Sequence, residues 1–116
     1  MEAVCSLREI VKGYGSRAPK VLGPLSLEIF PGELIGIRGE NGAGKSTLLS
    51  LLAGVQKPDG GAIQISPELR GRVGYAPQEP ALYESLSGLD NLRFWGKVHH
   101  LPSKPCEARS RWLLRE

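Results

Sequence analysis

The sequence predicts an α/β domain in which an N-terminal antiparallel β subdomain leads into a strand–loop–helix core. Three observations carry this. Leu25-Ser26-Leu27-Glu28-Ile29 alternates apolar and polar residues, the period of a half-buried strand. Leu34-Ile35-Gly36-Ile37 is apolar without alternation, which suits a strand covered on both faces. Beyond a glycine-rich stretch, Leu48, Leu49, Leu51 and Leu52 recur with helical spacing and share one face.

Taken in order, Ala3–Tyr14 leans to β structure through Val4, Leu7, Ile10 and Val11, and Gly13-Tyr14-Gly15-Ser16 interrupts it. Pro31-Gly32 makes a tight turn ahead of the strand at 34–37. The helix runs from Ser46 to Ala53, and Gly54 suits its C-terminal end. Pro58-Asp59-Gly60-Gly61 turns the chain into a strand at Ala62–Ile65. Arg72–Ala76 is a further short strand, stopped by Pro77. Ser87 and Asp90 have the spacing of a capping box for a helix reaching about His99. Leu89, Leu92 and Trp95 fall on its core side, and His99 and His100 complement its C-terminal dipole. Pro102-Ser103-Lys104-Pro105 breaks that helix, and Cys106–Glu116 starts another.

The 116 residues suffice for one domain with a core. No apolar run is long enough for a transmembrane helix. The N-terminus lacks the basic and apolar regions of a signal peptide. Cys5 and Cys106 stand far apart without a partner motif and read as reduced structural thiols of a cytosolic protein. The net charge of +3 arises in residues 97–116, where Lys97, Lys104, Arg109, Arg111 and Arg115 outnumber Glu107 and Glu116. A nucleic-acid surface would interleave aromatics with a basic stripe. The surplus reads instead as a solvated helix whose acidic complement lies elsewhere, and no nucleic-acid partner is expected.

The segment Gly39-Glu40-Asn41-Gly42-Ala43-Gly44-Lys45-Ser46-Thr47 is a phosphate-binding P-loop. A triphosphate crowds several negative charges onto neighbouring oxygens, so many donors must converge at short range. Side chains are too bulky to supply them all, and backbone N–H groups must do it. Gly42 and Gly44 let the main chain wrap closely. The loop opens a helix, whose free N–H groups and dipole face the anion. Lys45 adds a cation that reaches the β- and γ-phosphates. Ser46 offers a hydroxyl to Mg²⁺, and Thr47 reaches the α-phosphate.

Three further features narrow the reading. Tyr14 lies 31 residues before Lys45, in the break after the first strand. Gln78 lies 33 residues after Lys45, just past Tyr75-Ala76-Pro77. The loop continues through Leu48-Leu49 to Ala53-Gly54 and Pro58-Asp59-Gly60-Gly61. Together these resemble the N-terminal half of the ATP-binding cassette (ABC) domain of ABC transporters, over roughly residues 3–100. The resemblance implies a P-loop NTPase core with an N-terminal antiparallel β subdomain. It implies a division into that β sheet (1–33), a P-loop core half (34–80) and the start of a helical region (81–116). It implies ATP and Mg²⁺ as cofactors. Tyr14 would stack on adenine, and Gly39, Asn41, Gly42, Ala43, Gly44, Lys45, Ser46 and Thr47 would bind the nucleotide. Ser46 and Gln78 would meet Mg²⁺, with Gln78 also positioning the attacking water. The stretch from Leu82 to Gly96 looks like the segment after the glutamine loop in exporter-like members.

In that family hydrolysis also needs a Leu-Ser-Gly-Gly-Gln signature from a second cassette, an apolar strand ending in Asp-Glu (the Walker B strand), and a switch histidine. Leu86-Ser87-Gly88 begins like the signature but continues Leu89-Asp90 and lies only eight residues past Gln78. Neither Asp59 nor Asp90 ends an apolar strand or precedes Glu. The expectation is a cassette truncated before the helical subdomain and the Walker B strand, binding MgATP weakly and hydrolysing it negligibly. The expected partners are a transmembrane permease subunit and a second cassette in a head-to-tail dimer. The expected location is cytoplasmic, at the inner face of the cell membrane through the permease. A soluble non-transport ABC ATPase and a non-catalytic gene fragment stay open as rivals. A nucleotide kinase fits Tyr14 and Gln78 less well.

Overall fold

A computed structural model of the chain describes residues 1–13, 20–40 and 42–115. Two compact units, Met1–Gln78 and Glu79–Glu116, divide it. In the first, β1 (Cys5–Gly13) lies between β2 (Lys20–Ile29) and β3 (Gly60–Ile65), antiparallel to both. Cys5 and Leu7 face one side of the sheet, where α1 (Lys45–Leu52) packs Leu48 and Leu51 against them. Leu22, Leu25, Leu27, Ile29, Ile63 and Ile65 close around this core. Burial of each large aliphatic side chain contributes about 1.5–3 kcal/mol.

Strict alternation along β1 would next send Glu9 into that core. An extra residue prevents it. Arg8 pairs with Ala62 and Val11 with Gly60, while Leu7 and Ile10 face Leu27 and Leu25. The resulting bulge centres on Glu9, whose φ is 48°. It inverts the parity, so Ile10 takes the core position at 0% exposure and Glu9 stays in solvent. Ser26 secures the bulge: its Oγ accepts from Glu9 N–H at 3.0 Å and donates to Glu9 Oε1 at 3.1 Å. Across from it, Gly61 has φ 82°, and a Cβ there would collide with the Arg8 and Glu9 carbonyls. Only glycine fits.

Asp59 joins β1 to the start of β3. Its N–H donates to Val11 O at 2.8 Å, and its carboxylate accepts from Gly13 N–H at 2.8 Å and Lys12 Nζ at 3.3 Å. The Gly13 amide, and after it the lysine, hold this carboxyl below its usual range.

Two expected strands do not form. Residues 34–37 and 72–76 carry no regular structure, and Leu34 is 101% exposed, with Ile35, Val73 and Tyr75 each at 41%. A strand buried within a parallel sheet needs neighbours on both edges to take up its N–H and C=O groups. The described sheet is antiparallel throughout and pairs with neither segment. The helical leucine face is also narrower than expected: Leu48 and Leu51 are buried and Leu52 half-buried, but Leu49 is 45% exposed.

The second unit is a hairpin of α2 (Gly88–Val98) and α3 (Ser103–Leu113). Ser87 caps α2, accepting from Asp90 N–H at 3.1 Å. The Asp90 carboxylate turns to Arg93 at 3.0 Å rather than back to the cap. Leu89, Leu92 and Trp95 are half-buried, as the periodicity predicts. Asn91 is 4% exposed; its Oδ1 accepts from Tyr83 N–H at 2.8 Å, and its Nδ2 faces the carbonyls of Tyr83, Leu86 and Ser87. It ties the turn before α2 to the helix. Tyr83, Phe94 and Trp95 form an aromatic cluster with ring centroids 5.0–6.4 Å apart.

The α3 helix begins at Ser103, earlier than expected, and takes Pro105 into its first turn. An N–H there has no intrahelical partner, so its absence costs nothing. The helices approach closely where Gly96 meets Cys106 Sγ. Arg93 bridges them to Glu107 through Nε at 2.8 Å and Nη2 at 2.6 Å, and Arg111 Nε reaches the same carboxylate at 3.0 Å. Arg93 foremost holds the Glu107 carboxyl down at about 2.

Both α1 and α2 end in a Schellman motif. Gly54 and Val55 donate to Leu51 and Ser50 carbonyls, and His100 and Leu101 donate to those of Lys97 and Gly96. In α2 the left-handed position is His100, at φ 56°.

Candidate functional site

The glycine-rich loop sits where β2 meets the start of α1. The backbone turns left-handed at Gly42 (φ 85°) and again at Gly44, the N-cap of α1, at φ 92° and ψ 14°. Gly44 is buried against β2: a Cβ on it would lie 2.7 Å from Val21 O and 3.3 Å from Leu22 Cδ1. Gly39 is crowded in a similar way, with a Cβ placed 3.0 Å from Ala43 Cβ. Ala43 N–H closes the loop on Glu40 O at 3.0 Å. Because Leu48 and Leu51 pin α1 into the core, the direction of the helix is set by the sheet.

Among the described residues no side chain caps α1, and its first turn holds no acidic residue. The partial positive charge at this helix end is therefore not offset from within the helix. Lys45, half-buried, adds a full charge beside it. Its Nζ donates to the carbonyls of Gly39 and Glu40, the latter at 3.1 Å. The cation thus braces the loop ahead of α1.

Ser46 is exposed, whereas Thr47 is 7% exposed. Ser50 Oγ donates to Thr47 O at 2.9 Å and accepts from Gln56 Nε2 at 2.7 Å. This polar link supports the first turn from beneath. Its only sequence signal is a serine interrupting the leucine face. Val21, the floor of the loop, acts through a backbone carbonyl, and no residue type marks it.

Gly39, Gly42, Ala43, Gly44, Lys45, Ser46 and Thr47 are brought together as one loop and helix start. Asn41 and Tyr14 lie outside the described residues. Gln78 is exposed in irregular chain at the end of the first unit, and among the described residues no hydrogen bond joins it to Ser46. A cavity of about 620 Å³ beside Ser6, Gln64 and Arg70 has no loop residue in its wall. A left-handed glycine turn seated on a strand, an uncapped helix end and an adjacent lysine place the partial positive charge of a helix end beside a full one.

Comparison with known proteins gives the family. The family model described as ABC transporter matches residues 22–115, and the chain belongs to that family. Daunorubicin resistance ATP-binding protein DrrA3 of Streptomyces coeruleorubidus is 38% identical, over 89% of this chain and 34% of its own length. Nod factor export ATP-binding protein I of Cupriavidus pinatubonensis is 36% identical, over 98% of this chain and 37% of its own. A solved structure of an ATP-binding subunit of an ABC transporter superposes with TM-score 0.81 at 32% identity, covering 97% of this chain and 50% of that one. An ATP-binding cassette solved as a dimer with ADP and Pi shares the fold, with TM-score 0.78 at 23% identity. The chain thus spans between a third and just over a half of the length of these relatives.

Proposed function

We propose that the chain supplies the phosphate cradle of an ATP-binding subunit whose ATP binding and hydrolysis drive a membrane transporter. The observation that carries this is the seat of Gly44 on the Val21 carbonyl, which aims the end of α1 and Lys45 at one place. In this reading backbone N–H groups of the 42–47 segment, Ala43 N–H exchanging Glu40 O for phosphate, hold the β- and γ-phosphates together with Lys45 Nζ. Lys45 would exchange the Gly39 and Glu40 carbonyls for phosphate oxygens, a stronger, charge-assisted pairing. Thr47 reaches the α-phosphate, and Tyr14 stacks on adenine.

Magnesium fits the donor set. The Ser46 hydroxyl is exposed at the first helical turn, and Mg²⁺ takes few protein oxygens beside phosphate and water. Ser46 and Gln78 would hold it, and the bound ion would offset phosphate charge. Gln78 is exposed in irregular chain, so in this reading its amide meets the ion once nucleotide is bound.

Relatives named for export and resistance support the transport reading. A transmembrane permease and a second cassette complete it, with the chain at the cytoplasmic face. Residues 1–33, joined in one sheet by Gly60–Ile65, then correspond to the β subdomain, the rest of 34–80 to the core half and 81–116 to the start of the helical region. The test is steady-state phosphate release from MgATP by the purified chain. Negligible turnover is expected, because the cleaving groups come from elsewhere in a two-cassette assembly. Robust turnover abolished by Lys45→Ala would overturn the shared-site part of the reading.

A further inference from the structure

We propose that the open edge of β3 docks an extended peptide in antiparallel register, with an acidic and a basic side chain turned into the cavity beside Gln64 and Arg70. β3 is an edge strand, paired with β1 alone. Ser66 N–H donates to Val4 O at 2.9 Å. The register then runs unbroken from the Cys5 and Ile65 pair to the Arg8 and Ala62 pair. Main-chain groups alternate in direction along a strand, so those of Gln64 and Ala62 also face β1. The N–H and C=O groups of Ile63 and Ile65 point to the open side, where no other described strand pairs with them. Such edges are ordinarily guarded by charge or proline. β2, at the opposite edge, carries Pro24 and Glu28, whereas Gly60-Gly61-Ala62-Ile63-Gln64-Ile65 holds neither a proline nor a charge.

The two faces of this edge differ. Ile63 and Ile65 pack against the core. On the other face Gln64 and its ladder partner Ser6 line the cavity of about 620 Å³. Glu2 and Arg70 stand in the same wall. Among the described residues neither makes an ion pair, with the other or elsewhere. A strand added in antiparallel register lays apolar side chains beside Ile63 and Ile65 and sends the alternate ones into the cavity. There an acidic side chain meets Arg70 and a basic one meets Glu2. A second copy of the chain suits the edge less well. Glu2 and Arg70 both lie towards the C-terminal end of β3. Two-fold pairing of β3 with itself would carry those of the two copies to opposite ends and leave them unpaired. No residue of the glycine-rich loop lines this cavity, so the surface is separate from the phosphate cradle.

Fluorescence polarisation of a labelled peptide, Thr-Val-Glu-Val-Lys-Val-Thr, titrated with the full chain at about 0.1 M salt tests this. Saturable binding by about 0.2 mM chain is expected. In the antiparallel register the valine amides face β3 and the glutamate and lysine amides face away. N-methylation of the valine amides should weaken binding at least about tenfold, and N-methylation of the other two should leave it within about threefold. Arg70→Glu should weaken it at least about fivefold, and a peptide with lysine in place of its glutamate should recover the loss. Lys57→Glu, at an exposed cation away from the cavity, should leave it within about twofold. Absence of saturable binding would overturn the proposal, as would equal loss from the two methylation patterns or equal loss from Arg70→Glu and Lys57→Glu. Polarisation that falls again as chain concentration rises would give the edge to a second copy and overturn it too.

Discussion

Replacing Gly44 with alanine tests how the loop is seated. At φ 92° an L-residue costs about 1–2 kcal/mol from handedness alone. The new Cβ would also lie 2.7 Å from Val21 O and 3.3 Å from Leu22 Cδ1. The leucine can turn aside, but the carbonyl belongs to β2 and cannot. That overlap adds about 1–2 kcal/mol, for a total of about 3 kcal/mol. Gly42→Ala is the control: its φ is 85°, yet nothing lies within 4 Å of a Cβ there. It bears only the handedness cost. Hydrogen exchange read by mass spectrometry on peptides covering α1 separates the two, without requiring a reversible melt. Gly44→Ala should speed exchange there on the order of a hundredfold, and Gly42→Ala by no more than about tenfold. Equal effects would refute the claim that the loop is held by contact with β2.

Three further outcomes are expected. The Glu107 carboxyl is lowered from 4.5 to about 2 by Arg93, so its ion pair supports the α2–α3 hairpin fully above about pH 4.5 and loses that support as pH falls through about 2; circular dichroism of Glu107→Gln should be flatter than wild type over this window. His100→Gly relieves a left-handed histidine at φ 56° and should slow exchange at the end of α2 by about fivefold, near 1 kcal/mol; no change would mean that the motif does not hold the helix end. With Leu34, Ile35, Val73 and Tyr75 exposed, the purified chain should self-associate as concentration rises, which Leu34→Lys with Ile35→Lys should reduce in sedimentation velocity; a monomer with a sharp, reversible thermal transition would count against this.

The elements that form locally were legible. Period-two alternation marks β2, and 3.6-residue spacing marks α1 and α2. The glycine-rich loop was legible for a different reason: phosphate cradling places its demands on residue type, as glycine where φ is positive and lysine where charge is needed. The segments 34–37 and 72–76 have strand-like sequences but form no strand, because pairing there depends on neighbours and not on the residues alone. The spacing of Leu7 and Ile10, three apart within a strand, was the available sign of the bulge at Glu9. Pro105 looks like a breaker in the sequence because its position within the first turn, which makes it harmless, depends on where the helix starts. The Val21 floor left no sign, since any residue supplies a carbonyl.

The account's central claim is that Gly39–Thr47 binds nucleotide phosphates through Lys45 and the end of α1. Equilibrium dialysis of radiolabelled MgATP against wild type and Lys45→Ala tests it most directly. Saturable, weak binding that Lys45→Ala reduces by about tenfold or more is predicted, the scale of one charge-assisted hydrogen bond. Equal retention of ATP by both chains would contradict it.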